Sequence, residues 1–176
     1  MVGKNTSGSI TFYYDNEQLF NDTGILSAYM AKNFDVEGSV DKFSISDDEK
    51  DVFNICVKQA LPDIYETILK MTSCITNAFT SEKVIDTDET AGLKRKAGSY
   101  VEISINNNDA YNENTLAIVD ETLYMCIKYG ALAQFYSTCL QIDLYRIAQD
   151  RFVSNLRMLN QRLFQLKRKI VSSLLA

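Results

Sequence analysis

The sequence of 176 residues contains no histidine and no tryptophan, and it has a single proline. The absence of histidine excludes Ser-His-Asp and Cys-His nucleophile pairs, His-liganded zinc or haem, and imidazole acid–base chemistry. No catalytic constellation of carboxylates, lysines or thiols is evident. We therefore predict a protein that is not an enzyme and that needs no cofactor or metal ion. A chain of this length forms one domain with its own hydrophobic core.

The sequence also lacks paired cysteines and long apolar runs. Its four cysteines, Cys56, Cys74, Cys126 and Cys139, include no C-x-x-C spacing, which argues against a zinc ribbon or a thioredoxin-like site. The segment Met1–Ser9 is polar and has no apolar signal-peptide core. No uncharged apolar run approaches the roughly 20 residues of a membrane span. We expect reduced thiols in a soluble, intracellular protein with no membrane partner.

Charge is distributed unevenly along the chain. Residues 1–143 contain 11 Lys and Arg against 22 Asp and Glu, a balance of −11. Residues 144–176 contain seven Lys and Arg against Asp150 alone, a balance of +6. An acidic body with a basic end can meet copies of itself head to tail, or it can bind a separate acidic partner.

Hydrophobic periodicity predicts a mainly α fold, a helical bundle with a long C-terminal helix and a small β-strand or hairpin element. Helices are expected over about residues 22–34, 46–76, 115–140 and 144–171. The helical domain covers residues 10–170, after a flexible N-terminus at 1–9 and before a C-terminal tail at 171–176.

Residues 77–99 are the longest stretch without a clear period, and we assign them to a long loop. Short alternating runs predict strands at Ile10–Tyr14 and Tyr100–Ile105. These two strands should pair with each other, or the second should form a hairpin with Val84-Ile85. Either pairing gives the small β element of the predicted fold.

Features inside the predicted helices set their geometry. Ser46 and Glu49 fit a capping box at the start of the second helix, and Pro62 should bend that helix. Gly130 in the third helix allows another backbone to approach closely. The last helix has apolar residues at heptad-like spacing. They are Tyr145, Ala148, Phe152, Leu156, Leu159, Leu163, Leu166 and Ile170.

The predicted loop contains an acidic group followed by a basic one. Gly92 and Gly98 flank the basic group, but no lysine follows the second glycine as a P-loop requires. The acidic group lacks the glycine and the distal glutamate of an EF-hand. A solvated loop is the simplest interpretation, and contact with DNA phosphate or with a neighbouring subunit is the alternative. The charged residues are Glu82, Asp86, Asp88, Glu89, Lys94, Arg95 and Lys96.

The basic last helix admits three interpretations. Most of its arginines, from Arg146 to Arg162, fit the solvated face of a packed helix. DNA binding would need the basic residues on one stripe with aromatic neighbours, a pattern that is not clear here. The final basic and apolar residues are typical of a tail that docks into a partner, and these are Lys167, Arg168, Lys169 and Ile170.

The arrangement of these segments resembles the head–tail connector proteins of tailed bacteriophages, also called adaptor, head-completion or ring proteins. The resemblance covers nearly the whole chain, from Ile10 to Ile170. It lies in an acid-started helix, a long loop and strand, a buried helix and a basic final helix. The residues concerned are Ser46-Asp47-Asp48-Glu49, Asn112–Asp120 and Arg157-x4-Arg162-Leu163-x3-Lys167-Arg168.

The resemblance implies an all-helical bundle whose copies form a dodecameric ring beneath the portal vertex, which extends the DNA channel and supports the next tail component. It implies that Lys167, Arg168, Lys169 and Ile170 dock to the portal protein, and that the loop Glu82–Lys96 faces the channel or the neighbouring subunit. The chain would then be part of the virion, assembled in the cytoplasm of a host bacterium. Its acidic body suits a channel in which DNA slides without specific binding, because like charges repel.

Two other functions stay open from the sequence. The chain fits a free helical interaction module or regulator that binds a partner through its basic C-terminal helix. It also fits a DNA-binding protein that uses Arg151–Lys169, in which case affinity for duplex DNA would fall steeply with added salt. A large closed oligomer, formed by the chain alone or after portal protein is added, would distinguish the ring protein from the interaction module and from the DNA-binding protein.

Overall fold

A computed structural model describes residues 2–4, 9–33, 43–69, 74–84, 97–106 and 113–173, with side chains over 10–33, 43–69, 100–105 and 116–164. The fold is mainly α, a helical bundle with a long C-terminal helix, as predicted. The elements in chain order are β1 Val2–Lys4, β2 Ser9–Asp15, α1 Asn16–Lys32, a 3₁₀ turn Asp47–Glu49, α2 Lys50–Leu69, β3 Cys74–Val84, β4 Ala97–Asn106, α3 Glu113–Thr138 and α4 Ile142–Ser173.

Helix α3 is the centre of the bundle and packs against both α2 and α4. Its apolar residues are buried around most of the helix. Gly130 does allow a close approach, but by side chains and not by the predicted backbone, since a Cβ there would lie 2.7 Å from Ala60 Cβ and 2.9 Å from Phe152 Cε2. The buried set on α3 comprises Val119, Leu123, Cys126, Ile127, Ala131, Leu132, Ala133, Phe135 and Tyr136.

The heptad-like seam of α4 is confirmed over most of the helix that can be checked. Tyr145, predicted to begin the seam, is exposed, and Leu144 is buried in its place. The seam positions after 163 lie outside the described side chains. The seam residues that pack into the core are Ala148, Phe152, Leu156, Leu159 and Leu163.

Helix α2 begins where it is predicted to begin, but it ends earlier. At its start the backbone N–H of Ser46 donates to Glu49 Oε2 at 2.8 Å, as the predicted capping box requires. The helix continues unbroken through Pro62, which is exposed on it together with Lys58. It ends at Leu69 rather than near residue 76, because Cys74 already belongs to β3.

The four strands form one antiparallel sheet in the order β1-β2-β4-β3. The predicted pairing of the strands at 10–14 and 100–105 is confirmed, with Thr11 opposite Ser104 and Asp15 opposite Tyr100. The alternative hairpin of the second strand with Val84-Ile85 is wrong, because Tyr100–Ile105 pairs with Cys74–Thr80 of β3 and Val84 lies opposite Ala97. The β element of the described residues is therefore larger than the predicted one.

Two predictions about irregular segments are wrong. Residues 77–84 and 97–99 are not loop but strand, because β3 and β4 pair with each other over a long hairpin. Their polar residues alternate poorly, so local sequence did not reveal a strand whose stability comes from pairing across the sheet. Residues 2–4 are β1, paired with β2, rather than part of a flexible N-terminus.

The two faces of the sheet differ. One face packs into the core through Ile10 and Phe12 of β2 and their neighbours on β4. The other face is polar, and on it the hydroxyls of Thr11 and Ser104 lie 2.9 Å apart in a hydrogen bond. The polar face continues to the end of β2 at Asp15, which is where the candidate site begins.

Candidate functional site

A pocket of about 440 Å³ lies at the end of the sheet, where β2 passes into α1 beside the first turns of α3. Its walls are tyrosine rings and carboxylates. Sequence reasoning did not identify it, because its residues come from four separate elements. We call it the tyrosine–carboxylate pocket, and it is lined by Tyr13, Tyr14, Asp15, Gln18, Tyr100, Ala117, Asp120, Glu121 and Tyr124.

The local sequence explains how β2 builds one wall. Successive residues of a strand point to opposite faces, so Tyr13 lies on the polar face and Tyr14 on the core face. Asp15 then caps α1, and its Oδ1 accepts from the backbone N–H groups of Glu17 and Gln18 at 2.9 and 3.0 Å. The strand-to-helix change at Asp15 opens the pocket between the sheet and α3.

Tyr14 and Tyr124 fix the inner wall. Their rings stack with centroids 5.6 Å apart. The Tyr14 hydroxyl donates to the backbone carbonyl of Asp120 at 3.2 Å, and the Tyr124 hydroxyl donates to Asp22 Oδ2 at 2.6 Å. Burial raises the pKa of both phenols, helped at Tyr14 by Asp120 and at Tyr124 by its hydrogen bond to Asp22. Both rings therefore stay neutral, and they serve as rigid walls.

The charge of the pocket is of one sign. Three carboxylates, those of Asp15, Asp120 and Glu121, line it, and no lysine or arginine of the described side chains does. Tyrosine faces attract cations, as the ammonium of Lys128 shows by lying 4.8 Å from the centroid of the Tyr124 ring. An ammonium group of the chain itself therefore already lies against one ring of the pocket.

A second exposed feature lies at the turn between α3 and α4. Leu140 is 83% exposed and has a φ of 56°, in the left-handed region that favours glycine. Ile142, the first residue of α4, is 68% exposed. We call Leu140 and Ile142 the apolar tip. Leu140 therefore combines exposed apolar surface with a backbone conformation that costs a non-glycine residue free energy.

The backbone around the apolar tip is well held. The N–H of Gln141 donates to the carbonyl of Tyr136 at 2.9 Å, which closes the end of α3. The thiol of Cys139 is exposed beside the tip, and its pKa is raised by partial burial and by the carboxylate of Glu49. The tip is therefore a fixed projection at one end of the bundle.

Of the arginines predicted for the solvated face of α4, one is half-buried and makes hydrogen bonds within the fold. The Arg162 guanidinium Nη1 donates to the backbone carbonyl of Ile118 at 2.9 Å and also to the hydroxyl of Thr122. It therefore ties α4 to α3. Arg146, Arg151 and Arg157 are exposed, as predicted.

The predicted docking and loop residues lie largely outside the described part. The backbone of residues 167–170 belongs to α4, and that of Glu82 belongs to β3, but their side chains are not described. The structure therefore brings none of these side chains to a described site. The predicted loop residues of which neither backbone nor side chain is described are Asp86, Asp88, Glu89, Lys94, Arg95 and Lys96.

Among the described side chains three thiols are free, those of Cys56, Cys126 and Cys139, and the first two lie in the core. Burial raises the pKa of Cys56 to about 11 and that of Cys126 to about 12, so both stay protonated near neutral pH and are unreactive.

Among the described residues, no group of three or more Asp, Glu or Cys side chains is placed to hold a metal ion. Over the same residues, no helix has the length and apolarity to cross a membrane.

Comparison with known proteins does not assign the chain to a family. No protein-family model, no curated protein and no solved structure matches it.

Proposed function

We propose that the chain is a structural, non-enzymatic ring protein of the head–tail connector of a tailed bacteriophage. Copies of it form a ring, most simply a dodecamer, beneath the portal. The ring extends the DNA channel and presents a platform to the next tail or connector protein. In this role the protein is part of the virion and is assembled in the bacterial cytoplasm.

The observation that supports this proposal is the chemical difference between the two ends of α4. The helix begins at the apolar tip, with Leu140 and Ile142 exposed, and its sequence ends in Lys167, Arg168 and Lys169. At 1.5 Å per residue these ends are about 40 Å apart. One rigid helix therefore carries two unlike contact surfaces, which suits a protein that joins one partner above it to a different one below.

The two ends are assigned by their chemistry. The basic residues with Ile170 form the portal-docking end, in line with the charge of the last 33 residues. The apolar tip faces the next component, because its exposed apolar side chains at the end of the bundle offer surface that a partner can bury. The segment from Glu82 to Lys96 faces the neighbouring subunit or the channel.

The charge distribution fits a channel better than a DNA-binding surface. The body carries the balance of −11, so DNA passing through the ring is repelled from the wall. Arg162, which a DNA-binding helix would offer to phosphate, is used inside the fold. DNA therefore passes without specific binding.

Co-expression with the portal protein encoded in the same genome tests the proposal. Tagged portal protein should retain this chain through size-exclusion chromatography as a single large complex. A chain that stays monomeric and separates from the portal protein would contradict the proposal. Binding to duplex DNA that weakens steeply with salt would instead support a DNA-binding protein.

A further inference from the structure

We propose that the apolar tip and the carboxylates beside it form one docking surface, and that its partner is a basic amphipathic segment of the next connector component. Such a segment presents apolar side chains together with lysine or arginine. That the partner is the next connector component rests on the proposed function. The chemistry of the partner rests on the described residues at this end of the bundle.

The start of α2 lies beside the apolar tip. Ala60 of α2 lies against Gly130 of α3, and from this contact Glu49 is eleven residues back along α2 while Leu140 is ten residues further along the chain. At 1.5 Å per residue each distance is about 15 Å. Burial and then the carboxylate of Glu49 raise the pKa of the Cys139 thiol, so Glu49 lies close to the residue that precedes Leu140. The start of α2 and the apolar tip therefore share one end of the bundle.

This end of the bundle carries a group of acidic side chains. The aspartates in it are exposed, and among the described residues no hydrogen bond or ion pair engages their carboxylates. The glutamate is half-buried and accepts from the backbone N–H of Ser46 at 2.8 Å. The five acidic residues are Asp47, Asp48, Glu49, Asp51 and Asp143.

Few positive charges offset these carboxylates. Lys50 lies among the acids of α2, and its ammonium is 5.9 Å from the centroid of the Phe20 ring. Arg146 lies one turn after Asp143 on α4. Five carboxylates against two basic side chains leave an excess of three negative charges, of which the N-termini of α2 and α4 offset about one. The apolar tip is therefore flanked by net negative charge.

The two properties of this end define the chemistry of its partner. Exposed apolar side chains at Leu140 and Ile142 gain free energy when apolar groups of a partner cover them. The carboxylates around them repel nucleic acid, anionic lipid and acidic protein surfaces, and they attract lysine and arginine. A segment that is both apolar and basic satisfies both requirements, with apolar contacts at the centre and charged contacts at the rim.

The surface is also fixed before a partner arrives. The N–H of Leu140 donates to the carbonyl of Ser137 at 3.2 Å, and the N–H of Tyr145 donates to the carbonyl of Gln141 at 2.8 Å. These hydrogen bonds hold the turn between the last residues of α3 and the first of α4. A surface that is already ordered loses little conformational entropy when it binds.

Peptide binding tests the chemistry of the surface on the full, unaltered chain. The probe is the synthetic peptide KLLKKLLKKLLK, and its binding is followed by the methyl NMR signals of Leu140 and Ile142. The control peptides replace every lysine by glutamate or every leucine by serine. We expect the leucine–lysine peptide to bind with an affinity that falls as salt is added, and both controls to bind about tenfold more weakly or worse. Equal binding of the three peptides would overturn the inference.

Two pairs of single substitutions locate the binding site. Leu140→Asn removes apolar surface and keeps a residue type that tolerates the left-handed conformation. Ile25→Asn makes a similar change at an exposed position of α1. Asp143→Lys reverses a charge beside the tip, and Asp63→Lys does so at an exposed position toward the other end of α2.

The first member of each pair should weaken binding of the leucine–lysine peptide by about tenfold or more, and the second should leave the affinity unchanged. Equal effects within either pair, or absence of binding, would overturn the inference. Circular dichroism checks that each variant is folded.

The same charge pair tests the natural partner. The next connector component encoded in the same genome should bind complexes of the portal protein with this chain, and Asp143→Lys should weaken that binding by about tenfold or more. Asp63→Lys should not. A component that binds both variants as well as the unaltered chain would overturn the inference.

These results are separable from those on the proposed function. Portal attachment is measured on the unaltered chain and is assigned to residues 167–170, which no variant here changes. A chain that joins the portal protein but binds the three peptides equally removes only the inference. A chain that prefers the leucine–lysine peptide at its tip but ignores the portal protein removes the connector proposal and leaves a docking surface for basic amphipathic segments.

Discussion

The ring of Phe152 on α4 lies against the backbone of Gly130 on α3, with Cε2 2.9 Å from where a Cβ would be placed. Ala60 of α2 approaches the same point at 2.7 Å from its Cβ. The three helices of the bundle therefore meet at one glycine. The separation between them is set there, because any side chain at residue 130 must push at least one helix away.

Gly130→Ala should lower the free energy of unfolding by about 1–3 kcal/mol, as overpacked core substitutions do. Gly24→Ala is the matched control. Gly24 lies inside α1, and a Cβ there would be 3.8 Å from the Ile45 carbonyl oxygen, an ordinary van der Waals contact. Gly24→Ala should leave the free energy of unfolding unchanged or raise it by up to about 1 kcal/mol. Urea unfolding measures both, and equal effects would show that the bundle does not close on Gly130.

Arg162→Ala should lower the free energy of unfolding by about 1–3 kcal/mol, because the Ile118 carbonyl and the Thr122 hydroxyl lose a charged donor. Arg157→Ala removes the same charge from an exposed position of the same helix. Its effect should stay within about 0.5 kcal/mol. Thermal unfolding of the pair checks the prediction, and an Arg162 variant as stable as the Arg157 variant would contradict it.

Leu140→Gly should raise the free energy of unfolding by about 0.5–1 kcal/mol, because glycine adopts the left-handed conformation at residue 140 without strain. Ile142→Gly, within the first turn of α4, should lower it by up to about 1 kcal/mol. Both changes remove the apolar tip and should weaken binding of the next connector component. A Leu140 variant that is more stable and still binds that component would show that the tip is not a contact surface.

Stability should fall in alkali. The pKa of Cys56 is raised to about 11 and that of Cys126 to about 12 from an ordinary thiol value of 9.0, through burial above all. The unfolded chain loses these protons above pH 9 while the folded chain keeps them. The free energy of unfolding is therefore unaffected by these groups below pH 9, declines between pH 9 and the folded-state pKa values of about 11 and 12, and loses nothing more to them above those values.

Urea unfolding between pH 8 and 11 measures this decline. Cys126→Ala should lower stability at every pH, since it leaves a small cavity, but its decline above pH 9 should be shallower than that of the unaltered chain. A parallel decline in the two proteins would mean that Cys126 does not contribute to the pH dependence.

The helices could be predicted because their signals are local. The capping box at Ser46 and Glu49 and the seam through Phe152 and Leu163 depend on residues three to seven positions apart. The sheet pairing of the strands at 10–14 and 100–105 was also predictable, since both alternate strongly. These signals fixed the fold class but not the size of the sheet.

The missed features depend on residues far apart in the chain. β3 is a strand because β4 pairs with it, and its own sequence does not alternate cleanly. The tyrosine–carboxylate pocket joins Tyr14 to the Asp120 carbonyl across 106 positions. Arg162 reaches Ile118 across 44 positions. No local pattern encodes such contacts, which exist only after the helices and the sheet have packed.

The portal-docking end of α4 can be tested separately from folding. Changing Lys167, Arg168 and Lys169 together to Ala should weaken attachment to the portal protein and leave the thermal midpoint nearly unchanged, because alanine keeps the helix propensity of these positions and removes only charge. The control changes Arg146, Arg151 and Arg157 to Ala, which removes the same charge from the exposed face of the same helix. If both triple variants attach equally well, the final cluster is not the docking element.

The most direct test of the connector proposal is the mass of the assembled complex. Native mass spectrometry and electron microscopy of this chain co-expressed with its portal protein should show a closed ring with an open centre, stacked coaxially on the portal, and most simply containing twelve copies. A monomer or dimer that remains free of the portal protein at every concentration would contradict the proposal.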